Sequence, residues 1–288
     1  MAARYYVTTS ALGVERTSEG DVEWALPDAG APLAAETTFG ERLVLRSADA
    51  LLDVLEEAVY VAEPLGEAVE ELPGSLVVTS ARLLQQTGWA PRSAAEFALD
   101  CAGHVLGEAG DLELPTGFTL AAAIEDARNY LSRSSGDTGR IGRLARLAAA
   151  RRLRKEGERI GDLALAALQA DLAEELDATS DRAWTLLTAT GDAVLAAVET
   201  LRYLASPGYI AAREENAEHA EAAEPGIEPT LLQTPFGPVM LGAEHQSPYL
   251  SAGALARDAA FRAREAAGEA SSAEREWQVG RLEQALGA

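Results

Sequence analysis

Trp184-Thr-Leu-Leu-Thr-Ala-Thr-Gly-Asp-Ala-Val-Leu-Ala-Ala-Val-Glu-Thr-Leu201 decides the fold class. Trp184, Leu187, Gly191, Val194, Val198 and Leu201 recur at intervals of three and four, the a/d seam of packed helices held over more than two heptads. Asp181 stands where an N-cap belongs, and Pro207-Gly208 stops the pattern. Just upstream, Ile160, Leu163, Ala164, Ala167, Leu168 and Leu172 form a second apolar stripe. Short joints between such segments favour antiparallel neighbours, so the expected fold is mainly α, a multi-helix bundle.

Working toward the N-terminus, Thr119 is placed to cap a helix whose inner face is Leu120, Ile124, Ala127 and Leu131. Pro91 suits the first turn of another, in which Phe97, Cys101, His104 and Val105 share a face and Gly107 and Gly110 close the run. The spacing predicts a helix over Ser75 to Gln86. It predicts a further one after Ser47, with Leu51, Leu52, Leu55 and Val59 on one side until Pro64. Residues 1–46 differ: Arg4-Tyr-Tyr-Val-Thr-Thr, Asp21-Val-Glu-Trp-Ala-Leu and Arg42-Leu-Val-Leu-Arg read as short strands.

Toward the C-terminus, 213–229 is rich in Glu and Ala and runs into Pro225-Gly226 and Pro229, a helix end and linker. Thr230-Leu-Leu-Gln-Thr and Val239-Met-Leu, joined by Pro235-Phe-Gly-Pro, predict a hairpin that could join the N-terminal strands in one small β element. Helices from about Ala252 to Ala267 and Ser271 to Leu286 close the chain. The expected division is a β-rich segment over 1–46, a helical bundle over 47–224, a linker and hairpin over 225–249, and helices packing on the bundle over 250–288.

The 288 residues are 48% hydrophobic and 24% charged, the composition of a folded chain with a full core. Alanine supplies much of the apolar fraction, which predicts closely approaching helices. A lone cysteine, Cys101, and three scattered histidines give neither a disulfide framework nor a zinc-ligand set, so no metal or cofactor is expected. With no secretory pattern at the start and no membrane-length apolar run, a cytoplasmic location is expected.

The net charge is −22, yet Arg140 to Arg159 holds eight basic residues against Glu156 and Glu158. That stretch is +6 and leaves −28 on the rest. So acidic a chain argues against nucleic acid and anionic membranes and suits a basic protein partner. Within the basic run, Arg140, Arg143, Arg151, Arg154 and Lys155 fall on roughly a third of the helix circumference, interrupted by Leu144 and Leu147. Two readings stand: a guanidinium surface for a phosphate- or carboxylate-bearing partner, or an internal seam paired with Asp171, Glu174, Glu175 and Asp177.

Other candidates are sparser. Glu214, Glu215 and Glu218 are a candidate acidic binding strip, and His245 and Tyr249 fall in a polar, aromatic loop of the kind that hosts binding residues. Cys101 and His104 are three apart on one helix but lack an orienting third group, so a buried cysteine beside a hydrogen-bonded histidine is expected. Gly136, Gly139 and Gly142 match no phosphate-binding fingerprint, and no nucleophile elbow or zinc-protease helix occurs.

Three stretches, Phe97-Ala-Leu-Asp-Cys-Ala-Gly-His-Val-Leu106, Ala123-Ile-Glu-Asp-Ala-Arg128 and Arg275-Glu-Trp-Gln278, resemble a family of alanine-rich helical bacterial immunity proteins. The resemblance covers parts of 93–205 and 252–286. It leaves out residues 1–46 and the hairpin, and Glu113-Leu-Pro-Thr-Gly replaces a proline-rich joint of the family pattern. It implies a helical interaction domain of the toxin-neutralising kind and transfers no catalytic residue.

The leading expectation is therefore a non-enzymatic protein-binding module, immunity-like, that occupies a basic partner. One alternative is an enzyme or small-ligand-binding protein with a site between bundle and hairpin, built from the arginine run and His245. The other is a structural protein that self-assembles through the Trp184 seam. Oligomeric state is left open.

Overall fold

A computed structural model describes residues 4–10, 13–17, 20–27, 33–34, 42–109, 119–134, 139–173, 178–206, 230–234, 237–241 and 251–287. The chain is mainly α with a small antiparallel sheet from the N-terminal strands. Strands β1 (Tyr5–Thr9), β2 (Val14–Thr17), β3 (Gly20–Glu23), β4 (Leu33–Ala34) and β5 (Leu43–Arg46) come first. A short α1 (Ala48–Leu51) and a long hairpin, β6 (Ala58–Leu72) and β7 (Ser75–Gln86), follow. Helices α2 (Pro91–Ala109), α3 (Leu120–Arg133), α4 (Arg140–Ala173) and α5 (Ala178–Ala205) precede a separate hairpin, β8 (Thr230–Thr234) and β9 (Gly237–Leu241). The last helices are α6 (Ala252–Ala267) and α7 (Ser271–Leu286).

The hairpin β6–β7 corrects two expectations, since both of its arms carry sequence that predicted helix. Ser47 does cap a helix, its Oγ accepting from Ala50 N, but that helix ends at Leu51. Ala58-Val-Tyr-Val-Ala62 is then extended, as β-branched and aromatic residues prefer. Leu51, Leu52, Leu55 and Val59 are all buried in one cluster, so their helical spacing reflects a compact bend that turns them to the same side. Pro64, expected to end a helix, lies within β6 opposite Ala81. Proline is tolerated there because β1 covers the outer edge of β6 only as far as Ala62.

The sheet closes on itself. β5 pairs with β1, β1 with β6, β6 with β7, and β7 returns to β5 through Leu43↔Val78 to Arg46↔Ser75. Val7, Leu43, Leu45, Ala58, Tyr60, Ala62, Val78, Ala81 and Leu83 fill the resulting small barrel, with Trp24 at its side. Glu15 is buried beside it, accepting from Trp24 Nε1 at 2.9 Å and from Arg46 Nη1 at 2.5 Å. The alternate residues Tyr6 and Val59 face outward into the helical core, joining barrel and helices. The β8–β9 hairpin forms its own two-stranded sheet and pairs with no N-terminal strand among the described residues, which corrects the single β element expected.

In the helical part α5 packs against α4, α6, α2 and α3. Leu187, Val194, Val198 and Leu201 are buried, and Trp184 packs partly buried against the same core. The a/d seam is thus covered within the chain, by residues such as Ile160 of α4, 3.4 Å from where a Cβ on Gly191 would stand. Asp181 is no N-cap, because α5 begins earlier, at Ala178. Thr119 caps α3 as expected, and α6 and α7 span the predicted ranges. Alanines line the tight crossings: Ala256, Ala259, Ala260 and Ala263 of α6 meet Ala94, Ala98 and Ala102 of α2 in one cluster. Among the described residues no helix is long and apolar enough to cross a membrane.

Candidate functional site

The basic run forms the first half of α4, and its members divide by helix face. Arg146 points inward and is buried, its Nε and Nη2 donating to the Ser134 carbonyl at 3.0 and 2.7 Å and its Nη1 to the Leu204 carbonyl at 3.2 Å. One guanidinium thus satisfies backbone acceptors just past the end of α3 and in the last turn of α5, where helices leave carbonyls without internal partners. Leu153, Ile160 and Ala164 continue the inward face into the core.

The opposite face is exposed. Arg140, Arg143, Arg151, Arg154 and Lys155 all lie on it, as their spacing predicted. Interleaved with them are Ile141 at 79% exposure, Leu144 at 58% and Leu147 at 39%. Arg154 pairs with Glu158 one turn on, at 2.7 Å. Among the described residues Arg140, Arg143 and Arg151 enter no ion pair. The internal-seam reading fails for Asp171, which sits on the same helix about 25 Å beyond Arg154 along its axis. Glu174, Glu175 and Asp177 lie outside the described residues, as do Gly136, Glu214, Glu215, Glu218, His245 and Tyr249. The structure therefore joins Arg140, Arg143, Arg151 and Arg154 on one face of α4.

A second exposed strip runs along β6 past Ala62. Glu63, Glu67, Glu70 and Glu71 are exposed, together with Val69 at 61% and Leu72 at 67%. From Glu67 to Leu72 the strand is exposed on both faces, and among the described residues β7 alone pairs with it. Bulges after Leu65 and Glu70, Pro64 and the glutamates guard this edge against indiscriminate strand pairing. Glu71 pairs with Arg42, and Glu70 Oε1 accepts from Gly74 N at 3.1 Å in the turn. Reading 75–86 as a helix hid this strip from sequence reasoning; the Val77-Val78-Thr79 run is the signal that could have shown it.

The third feature is a buried polar network where α2, α6 and α7 meet. His104 Nδ1 lies 2.6 Å from Glu274 Oε2, and its ring stacks on Trp277 with centroids 3.9 Å apart. Gln278 Nε2 donates to Glu274 Oε1 at 2.9 Å and to the Ala260 carbonyl at 3.0 Å, while its Oε1 accepts from Arg264 Nη1. Arg264 and Arg275 both reach Asp53, at 2.7 and 3.0 Å, and Arg275 also reaches Asp49 at 2.7 Å, tying α7 to α1. Asp100 accepts from Arg128 at 2.9 Å and pairs with Arg281. Cys101 is fully buried alongside. Burial pushes its thiol well above the ordinary range, and the Glu274 and Asp100 carboxylates push the same way against Arg264 and Arg281. A thiol so placed is a poor nucleophile, in line with the structural reading of the Cys101–His104 pair.

These contacts bring residues of 97–106, 123–128 and 275–278 into one joint: Asp100 and His104 come from the first, Arg128 from the second, Trp277 and Gln278 from the third. Their residues hold helices together. Comparisons of the chain with protein-family models, curated proteins and solved structures gave no match.

Proposed function

We propose that this chain is a non-enzymatic, cytoplasmic protein-binding module of immunity type, a multi-helix bundle that docks a partner on the outward face of α4. One observation carries the reading. Ile141 and Leu144 stand mostly in solvent on the face of Arg140, Arg143 and Arg151, which enter no ion pair among the described residues, on a helix whose inner face is already satisfied. Apolar residues rimmed by guanidinium groups are the composition of a protein interface, where arginine is enriched. The immunity-like joint supports the reading indirectly, since it supplies a rigid platform and leaves binding to surfaces elsewhere. The −28 outside the basic run also supports the mode that the sequence led with, in which acidic residues such as Glu214, Glu215 and Glu218 occupy a basic partner.

Affinity purification of the tagged intact chain from its native host tests this, with R143E/R151E and a Glu214, Glu215, Glu218 charge reversal alongside. A stoichiometric partner lost from R143E/R151E and released as salt rises is the expected result. A partner retained by R143E/R151E and lost from the glutamate reversal would move the surface to the acidic strip. The same proteins on all three baits would overturn both modes.

A further inference from the structure

We infer that the partner fitting the α4 face is a second copy of this chain, presenting the acidic edge of β6; the inference rests on α4 being a docking face. Charge complementarity comes first. The α4 face carries Arg140, Arg143, Arg151 and Arg154, and the β6 edge carries Glu63, Glu67, Glu70 and Glu71, all exposed. Each strip also holds apolar side chains the fold leaves in water: Ile141, Leu144 and Leu147 on one, Val69 and Leu72 on the other.

The spacings agree. Ile141 to Leu147 spans about 9 Å along a helix, and Val69 to Leu72 about 10 Å along a strand. Arg151 lies about 6 Å beyond Leu147 on the helix axis, and Glu67 about 7 Å beyond Val69 on the strand. A helix laid along the edge strand therefore brings apolar residues together with opposite charges at their flank. An anionic membrane matches the arginines equally well but would repel the −28 on the rest of the chain. Because the two strips differ, the contact is head to tail: each chain offers one of each, and assembly continues unless it closes in a ring.

The contact is small. A helix face about 22 Å long buries far less than the roughly 800 Å² per partner of a standard interface, so association is weak and belongs at high protein concentration. Ionic strength gives it a signature. At ~10 mM salt, screening extends about 30 Å and whole-chain repulsion dominates; near ~0.15 M it shrinks to about 8 Å and the facing strips decide. Association should therefore peak at intermediate salt.

Sedimentation equilibrium of the intact chain up to ~1 mM tests this, with R143E/R151E, E67R/E70R and their equimolar mixture. The expected result is a weight-average mass rising above 30.3 kDa for the wild type, a constant 30.3 kDa for each variant, and recovery in the mixture, whose reversed charges again match. Recovery on mixing also shows that neither variant is misfolded. A wild type at 30.3 kDa throughout, a variant that associates like the wild type, or a monomeric mixture overturns the inference. Binding of a monomeric wild type to anionic vesicles, lost in R143E/R151E, overturns it in favour of a membrane. A monomeric wild type that still loses a captured host protein on R143E/R151E defeats the second-copy inference and leaves the docking face standing.

Discussion

Replacing Arg146 with alanine separates structural from binding arginines in a stretch where sequence makes them look alike. Its guanidinium is buried and puts two donors on the Ser134 carbonyl, with a longer bond to the Leu204 carbonyl. The convergent charge-assisted pair is worth about 2 kcal/mol and the longer bond about 1. Two buried methylenes lost from the stem add about 0.8 kcal/mol each. Rotamer freedom that a buried arginine gives up, about 1.5 kcal/mol, is no longer lost in the variant and offsets part of this. The net cost is about 3 kcal/mol, and Arg146→Lys, which keeps stem and charge but one donor head, should lose about half of it. Urea unfolding followed by circular dichroism reads the cost as a lower midpoint at unchanged slope. Arg143→Ala, three residues away on the exposed face, should stay within about 0.5 kcal/mol of the wild type. If Arg146→Ala proves as harmless as Arg143→Ala, the clamp between the ends of α3 and α5 does not hold the fold and the division of the basic run by face is wrong.

Gly253→Ala would place a Cβ 1.8 Å from the Glu56 backbone carbonyl, so it should cost at least about 3 kcal/mol. Gly161→Ala meets nothing within 4 Å on α4 and should raise stability by about 0.5–1 kcal/mol, both read from thermal midpoints. Glu274→Ala removes the acceptor of both His104 and Gln278 from a buried site and should lower stability by about 3 kcal/mol, measured by urea unfolding. Cys101 should resist a thiol reagent in the native chain and react at the ordinary rate once unfolded. Its raised thiol also sets a pH dependence. The proton held in the folded state is lost by the unfolded chain above about 9.0, so stability falls as pH rises past that point, and Cys101→Ala should flatten the fall in denaturation midpoints between pH 8 and about 10.

The helices legible in the sequence are those that bury one stripe. α3, α5, α6 and α7 each carry a cap, a stop or a periodic face that nothing else in the chain contradicts. The β6–β7 hairpin was not legible because its strands do not bury one face. Ala58 to Ala62 are covered on both sides, by the barrel interior and by the helical core, and so read as a continuous apolar run. Farther along, bulges break the alternation that would have marked a strand. The arginine face was visible from spacing alone, since one helix carries it. The Glu274 network was not, because His104 and Glu274 meet only once α7 folds back on α2, and no local pattern encodes that return.

What the fold does with its arginines bears on the α4 face. The chain has 24 basic residues against 46 acidic ones, so a cation is scarce relative to carboxylates that could use it. Several are placed at joints between elements distant in sequence: Arg46 on Glu15, Arg128 on Asp100, Arg146 on two helix ends, Arg264 and Arg275 on Asp53, Arg281 on Asp100. Arg140, Arg143 and Arg151 form no such joint among the described residues. Solubility does not account for them, because added glutamate serves that purpose better and exposed leucines oppose it. Helix formation does not account for them either: the N-terminal turns of a helix favour acidic residues, and α4 begins with Arg140, Ile141, Gly142 and Arg143. Both departures fall on the same face, so a contact that buries Ile141 and Leu144 while neutralising the guanidinium groups beside them explains the two together.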